Sequence, residues 1–261
     1  MTSLRVFFVG GYLAYRALFN WLRPSIYIPT MLGGPIFQIL FFAYIGRFAG
    51  LRNDEFFVVG NAVQASALAG IFGVAMTIGG ERWTQTLSPL LATPANRLAL
   101  FLGRALPLIA NGFFVSAFGF GVGWLLLDFE LTRGEIPGIA LVVLVSSFAC
   151  AAFGLMTGAV GLRARDVFIL ANLVALILLL FCGVNVPLDA LPGWMQAVAK
   201  GLPLTHGIQA AREIAGGGAF GDVSDLVATE AVIGTFYTAL AYALLRFFEA
   251  DGRRRATLET M

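Results

Sequence analysis

Long apolar stretches, each close to the length needed to cross a bilayer, constrain this chain more than any other feature. A membrane-spanning helix needs about 20 predominantly apolar residues, and six windows meet that condition with no charged residue in the middle. They are residues 26–46, 56–79, 106–127, 136–160, 167–186 and 227–246. With 59% hydrophobic and 12% charged residues, the chain carries more apolar surface than a water-soluble fold hides. The sequence predicts a single all-α integral membrane domain, residues 1–261, with six transmembrane helices.

The distribution of positive charge between the windows predicts the orientation. Cytoplasmic loops are enriched in Arg and Lys, and placing both termini inside puts twelve of the 17 basic residues on the cytoplasmic side. The twelve are Arg5, Arg16, Arg23, Arg82, Arg97, Arg104, Arg163, Arg165, Arg246, Arg253, Arg254 and Arg255. The Arg-rich, Lys-poor usage is typical of a GC-rich bacterial genome. We expect a multi-pass protein of the bacterial cytoplasmic (inner) membrane, with both termini in the cytoplasm.

Three segments outside the windows have their own pattern. Residues 4–22 mix apolar and basic residues, which predicts a helix lying along the cytoplasmic interface; a loose, partly inserted leader is the alternative. No small-residue cleavage site follows, so we expect no cleaved signal peptide. Residues 80–104 enclose the short apolar stretch 87–91 and predict a cytoplasmic helix. Residues 187–218, on the outer side, are apolar yet broken by prolines, which predicts a re-entrant helical hairpin.

The residue types exclude several kinds of chemistry. The chain has no G-x-x-x-x-G-K-[ST] loop, and Lys200 is its only lysine. Because His206 is the only histidine, we expect no metal site and no cofactor in this chain. No series of buried acidic residues suggests ion coupling, and no basic run is large enough for nucleic-acid binding. We therefore expect that the chain is not an enzyme by itself.

Polar side chains within the windows are few, and hydrogen bonds between helices are their first interpretation. A substrate path is the second, with three aromatic residues completing it. This candidate path consists of Phe37, Gln38, Phe41, Asn61, Gln64, Asn172 and Phe181. Asn111 and Asn185 are the other amides in the windows.

Small residues predict how the helices pack. Gly119 and Gly123, and likewise Gly154 and Gly158, have the spacing that lets two helix backbones approach closely. We expect these contacts within the chain rather than between two copies. Both cysteines lie in apolar stretches, which predicts buried packing residues rather than a disulfide.

Two segments contain motifs of a recognisable kind. The first reads Glu81-Arg82-Trp83-Thr84-Gln85-Thr86-Leu87 and then Leu90-Leu91-Ala92-Thr93-Pro94. It resembles the E-R-x-x-G-T-L-E-x-L-L-x-T-P segment of the membrane subunits of ABC-2-type ABC transporters, with Gln85 in place of Gly and Ser88 in place of Glu. The second reads Gly183-Val184-Asn185-Val186-Pro187-Leu188, Leu191-Pro192, Trp194, Leu202-Pro203-Leu204-Thr205 and Arg212. It is similar to the family's G-x-x-x-P, L-P-x-W and N-P-L-T-x-x-x-x-x-x-R ending, with Leu202 in place of Asn. In its overall pattern, the sequence most resembles exporters of the daunorubicin-resistance type.

The resemblance implies a division of labour between subunits. Two copies of a separate P-loop ATPase would bind Mg-ATP, and a second permease copy or a paralogue would complete the path for an amphipathic drug-like or lipid-like substrate. The implied ATPase-coupling residues are Glu81, Arg82, Thr84, Thr86, Leu87, Leu90, Leu91 and Pro94. The implied outer gate consists of Gly183, Pro187, Leu191, Pro192, Trp194, Pro203 and Arg212.

Two other classes of protein stay open at this point. An ATP-independent secondary transporter or channel would show buried ionisable residues or an internal repeat, and neither is evident. A membrane enzyme acting on lipid would use His206, Asp189 and Glu213 near the outer leaflet.

Overall fold

Helices account for nearly all of the structure. The computed structural model describes residues 3–21, 25, 28–50, 54–83, 97–161 and 166–255, and these ranges contain helices but no strand. The helices are α1 (Ser3–Trp21), α2 (Gly33–Ala49), α3 (Asp54–Trp83), α4 (Arg97–Leu126), α5 (Ile136–Gly161), α6 (Val167–Phe181), α7 (Gly193–Ala199), α8 (Thr205–Ala215) and α9 (Ser224–Arg255). A π-helical turn, Ile28–Leu32, precedes α2, and two short 3-10 turns, Leu188–Ala190 and Phe220–Val223, precede α7 and α9. The predicted all-α class is confirmed.

Local sequence signals set several of the helix ends. Asp166 caps α6, its carboxylate accepting hydrogen bonds from the backbone N–H groups of Phe168 and Ile169 at 2.8 and 3.3 Å. Helix α2 ends at Gly50, whose φ of 61° lies in the left-handed region that favours glycine. Arg47 and Asp54 then form an ion pair across the connection from α2 to α3. These contacts fix how the chain turns from one helix into the next.

Among the residues that the structure describes, four helical segments are long and apolar enough to cross a membrane. They are Asp54–Gly79, Leu102–Leu126, Ile136–Gly161 and Phe220–Phe248. Helix α2, with 17 residues, and the apolar α6, with 15, are shorter. Helix α6 ends at Phe181 because the chain turns at Gly183, whose φ is 75°. The structure thus gives a multi-pass membrane protein with at least these four candidate spans.

Helix α3 occupies the centre of the bundle. In an 18-residue apolar window of its candidate span 83% of the residues are buried, whereas only 11% are buried in the corresponding window of α9. Helices α4 and α5 pack along α3, α2 and α6 contact it as well, and α9 packs along α5. Helix α1 lies against α4, where an added side chain at Gly11 would meet the carbonyl of Gly103 at 2.9 Å.

The two glycine pairs pack against α3. A β-carbon at Gly119 of α4 would lie 3.1 Å from the Cα atom of Ala62. On α5, a β-carbon at Gly154 would lie 2.9 Å from the Cα atom of Ile71. The prediction of contacts within the chain is confirmed, because both contacts are with backbone atoms of the same molecule.

Both cysteines are free and fully buried, which confirms the packing prediction. Cys150 lies inside α5, while Cys182 lies beyond the last turn of α6 beneath the segment that joins α7 to α8. Its thiol donates to the carbonyl of Pro203, with the sulfur and oxygen 3.4 Å apart.

Candidate functional site

A cluster of four amide side chains joins three parts of the chain. Gln38 of α2 donates from Nε2 to the side-chain oxygens of Asn61, at 2.8 Å, and Gln64, at 2.5 Å. Asn61 donates in turn to the side-chain oxygen of Asn185, at 2.7 Å, just beyond α6. We call Gln38, Asn61, Gln64 and Asn185 the amide cluster. It connects α2, α3 and the end of α6.

The helical repeat and the burial of α3 explain why the cluster forms. Asn61 and Gln64 are three residues apart, so they project from the same face of α3. They are only 2% and 3% exposed, and a buried amide without a partner costs about 1–3 kcal/mol. Gln38 of the neighbouring helix α2 supplies a hydrogen-bond donor to both buried amides. The arrangement presents hydrogen-bonding groups at one place within an otherwise apolar bundle.

The other residues of the candidate path lie elsewhere. Asn172 donates to the carbonyl of Phe168 in its own helix, at 2.8 Å, and takes no part in the amide cluster. Phe37 and Phe41 are 75% and 61% exposed on the outside of α2. Phe181 is half-buried and packs edge-on against Trp194 of α7, with ring centroids 5.8 Å apart. The structure therefore brings together Gln38, Asn61 and Gln64 of the candidate path and leaves Asn172 apart from them.

The segment expected on the outer side forms two short helices that follow prolines. Pro192 precedes α7, and the link from α7 to α8 ends at Leu204, which is fully buried although its φ is 84°. Few residues other than glycine adopt such a φ. Pro187 and Leu191 lie on the approach to α7, with Leu191 buried, and Pro203 lies at the turn. We call α7, α8 and their link the outer hairpin.

Arg212 fastens the C-terminal end of α8 to the bundle. Its guanidinium donates to the carbonyls of Gly183 and Val184, at 2.7 and 2.8 Å, and to that of Phe56, at 3.0 Å. The same group lies over the Phe56 ring, 3.6 Å from its centroid. A β-carbon on Gly60 would overlap the Val184 carbonyl and the guanidinium, so only glycine fits there. The predicted outer-gate residues Gly183 and Arg212 thus meet at one contact.

Glu230 fastens the other end of α8, and sequence reasoning missed it. This side chain of α9 is fully buried. Its carboxylate accepts hydrogen bonds from the backbone N–H groups of Leu204, at 2.5 Å, and Gly207, at 3.2 Å. The signal in the sequence is that Glu230, the fourth residue of the last apolar window, is the single acidic residue of that window. Such a residue is rare within a span and marks a specific partner.

Further hydrogen bonds stabilise the link between α7 and α8. Thr205 donates from its hydroxyl to the carbonyl of Ala199 at 2.7 Å, and His206 contacts the carbonyl of Lys200 through Nε2 at 3.1 Å. From α9, the hydroxyl of Tyr237 donates to the carbonyl of Gly201 at 3.0 Å. His206 therefore has a structural contact within the link.

A shallow cavity of about 320 Å³ lies between α8 and the turn that precedes α7. Asp189 and Glu213 line it, together with Ile208 and Gln209, whereas His206 is not among the lining residues. The three residues of the hypothetical lipid enzyme are therefore not gathered around this cavity. Within the described ranges, no three His, Cys, Asp or Glu side chains are placed to hold a metal ion.

The predicted coupling residues fall at the edge of the described structure. Glu81 and Arg82 belong to the last turn of α3, which continues past the candidate span to Trp83. Thr84, Thr86, Leu87, Leu90, Leu91 and Pro94 lie outside the described residues. The coupling role stays a prediction.

Comparison with known families decides what kind of membrane protein this is. The model of the ABC-2 type transporter family matches residues 11–215, well over half of the chain. The chain belongs to the ABC-2 type transporter family. The matched region runs from α1 to the last residue of α8, so it includes the amide cluster and the outer hairpin. As an ABC-2 permease, the chain is the membrane component of an ABC transporter and not an enzyme by itself.

The ABC-2 permease is also similar to a curated relative in two strains of Mycobacterium tuberculosis, CDC 1551 / Oshkosh and ATCC 25618 / H37Rv. The relative is the probable doxorubicin resistance ABC transporter permease protein DrrC. In each strain it is 26% identical over 211 residues, which cover 78% of this chain and 75% of the relative. The similarity therefore extends across most of both proteins.

Proposed function

We propose that this chain is the permease subunit of an ATP-binding-cassette exporter that moves an amphipathic, drug-like or lipid-like substrate outward across the bacterial inner membrane. Membership of the ABC-2 type transporter family over residues 11–215 is the observation that carries the proposal. The name of the relative, a probable doxorubicin resistance permease, supports a drug-like substrate. A mostly apolar bundle with a few placed hydrogen-bonding groups suits an amphipathic molecule.

The energy comes from a separate subunit in this proposal. The chain has no Gly-rich phosphate-binding loop ending in Lys and Ser or Thr. Two copies of a P-loop ATPase bind Mg-ATP and contact residues 80–104, with Glu81 and Arg82 at the start of that segment. The interfacial helix, residues 4–22, provides a second contact. A second permease copy or a paralogue completes the transporter.

The substrate path lies between the first, second and fifth of six spans, with both termini in the cytoplasm. The amide cluster supports this position, since Gln38 belongs to the first expected span, Asn61 and Gln64 to the second, and Asn185 to the end of the fifth. Exposed Phe37 and Phe41 on α2 supply an apolar surface beside it. The outer hairpin closes the path on the extracellular side as a re-entrant gate.

The test is purification of the tagged chain from its native membrane, followed by measurement of magnesium-dependent ATP hydrolysis with and without vanadate. We expect a P-loop ATPase to co-purify and its activity to be inhibited by vanadate. Membranes that lack the tagged chain, taken through the same steps, give the background. A well-folded preparation with no ATPase and no hydrolysis would favour an ATP-independent secondary transporter or channel instead.

A further inference from the structure

The two ends of α8 are held by side chains of opposite charge from different parts of the structure. At its C-terminal end, the α8 residue Arg212 reaches three carbonyls of α3 and the end of α6. At its N-terminal end, the acidic contact comes from Glu230 of α9. Helix α8 is therefore attached to the bundle core at its C-terminal end and to the peripheral helix α9 at its N-terminal end.

The chemistry of a helix N-terminus explains the contact with Glu230. The first turn of an α-helix has backbone N–H groups without intrahelical partners, and a side chain such as Ser or Asp usually accepts from them. The residue at the cap of α8 is Leu204, which makes no such hydrogen bond. The Glu230 carboxylate accepts from Leu204 and Gly207 in its place, and its charge is favourable at the positive end of the helix dipole.

Burial makes the contact specific rather than incidental. Glu230 is fully buried, and the contacts described for its carboxylate are hydrogen bonds from backbone N–H groups rather than an ion pair. A buried carboxylate without a basic partner relies on its hydrogen bonds, so removing either side of the contact leaves polar groups unpaired. The geometry leaves little freedom at this point, since an added side chain at Gly207 would overlap the hydroxyl of Ser146 on α5.

We propose that Glu230 is a positioning residue that holds the N-terminal end of α8, and with it the link of the outer hairpin, on α9 and thereby fixes the hairpin over Cys182. Cys182 is fully buried, and it borders the cavity beneath α8. Loosening the link of the hairpin opens this thiol to the outside. The inference rests on the proposed exporter only in treating the hairpin as a gate, because the position of the hairpin is measured without transport.

The experiment uses the native thiol as the reporter. The chain has two cysteines, so a Cys150→Ala background leaves Cys182 alone, and a membrane-impermeant maleimide is added to intact cells that produce the full transporter. The variants are Glu230→Met, which fills the space without an acceptor, and Glu230→Gln, which keeps one amide oxygen. Asp225→Asn is the matched control, because Asp225 is an exposed acidic residue of the same helix.

We expect Cys182 to react slowly in the parent and in Asp225→Asn. Glu230→Met should raise its rate at least about tenfold, since two buried N–H groups lose their acceptor, and Glu230→Gln should fall between the two. Efflux should follow the opposite order, lowest for Glu230→Met and partly restored for Glu230→Gln. A reciprocal Cys182→Ala background reports on Cys150 in the core of α5, which should stay unreactive in every variant.

Each result bears on the proposal. Equal Cys182 labelling in Glu230→Met and the parent overturns it, and so does a parallel rise in Cys150 labelling, which would indicate general unfolding. If Glu230→Met does not accumulate in the membrane, the near-isosteric Glu230→Gln decides by its labelling relative to Asp225→Asn. Faster labelling of Glu230→Met, together with a parent protein that itself shows no ATP-dependent efflux, supports the positioning role while contradicting the exporter.

Discussion

At the scale of single residues, the polar groups of this protein are few and most of those described are paired with one another. Arg212 and the amide cluster follow the same rule, because a polar group removed from water must find a partner in the protein. The pairs connect segments that are far apart in sequence, such as Asn61 with Asn185 and Phe56 with Arg212. Each pair therefore fixes one element against another.

Replacing Arg212 by Lys should destabilise the protein although the charge is kept. A lysine ammonium is a point donor and cannot lie flat on the Phe56 ring while reaching three carbonyls. We expect a loss of about 2–4 kcal/mol of unfolding free energy, measured by thermal unfolding in detergent. Arg246→Lys, at an exposed position of α9, is the control and should change little. Equal effects of the two would show that the carbonyl contacts contribute nothing.

Replacing Asn61 by Leu should lower the free energy of unfolding more than the same change at Asn172. Asn61 connects Gln38 to Asn185, whereas Asn172 contacts a carbonyl of its own helix. We expect a loss of about 1–3 kcal/mol for Asn61→Leu and less than about 1 kcal/mol for Asn172→Leu. Thermal unfolding of the two variants side by side measures the difference. A larger loss at Asn172 would contradict the importance of the amide cluster for stability.

Much of the candidate site follows from the sequence, because an amide in an apolar window stands out. Gln38, Asn61 and Gln64 are recognisable in this way, but their meeting at one point depends on the rotation of α2 about its axis, which periodicity does not specify. Glu230 is hidden for a different reason. One acidic residue near the start of a window looks like a boundary residue. Only the structure shows that backbone N–H groups at the start of α8 donate to it.

At the scale of helices, small residues determine how closely the elements approach α3. Gly119 of α4 and Gly154 of α5 face backbone atoms of α3, so the two helices pack at short distance along it. Window lengths predict where the long helices lie, since their apolar runs match the thickness of a bilayer. They do not predict the early end of α6, because that end depends on the positive φ of Gly183.

Adding one methyl group should have opposite effects on stability at Gly154 of α5 and at Gly121 of α4. A β-carbon at Gly154 would lie 2.9 Å from the Ile71 Cα atom, so Gly154→Ala should cost about 1–3 kcal/mol. Gly121 has open space around it, so Gly121→Ala should gain about 0.5–1 kcal/mol from helix propensity. Thermal unfolding of both variants tests the pair. A stabilising Gly154→Ala would show that α5 can move away from α3 at no cost.

At the scale of the whole molecule, the chain is one membrane component of a larger transporter. The outer hairpin lies at one end of α3, and the segment that follows Trp83 begins at the other. Positive charge on one side of the spans predicts the orientation in the membrane, as expected for a multi-pass protein. The partner subunits leave no comparable signal in this sequence beyond the motif that begins at Glu81.

Glu81→Ala and Arg82→Ala should uncouple ATP hydrolysis from transport while the complex still assembles. Both residues begin the segment proposed to contact the ATPase, so their loss should abolish most substrate-stimulated hydrolysis and efflux. Efflux and ATPase stimulation are measured in membrane vesicles, with Glu130→Ala in the exposed loop after α4 as the control. Normal activity of both variants would contradict the coupling assignment.

The length of α3 has a mechanical consequence. Its 30 residues form a rod of roughly 45 Å, which is longer than the hydrocarbon core of a bilayer is thick. Tilting a rod of that length by about five degrees around one end shifts the other end by about 4 Å. Such a shift exceeds what a hydrogen bond tolerates, so a small push near Glu81 is enough to break or remake the contact between Phe56 and Arg212. A single helix can thus carry a displacement across the whole membrane without any change in its own shape.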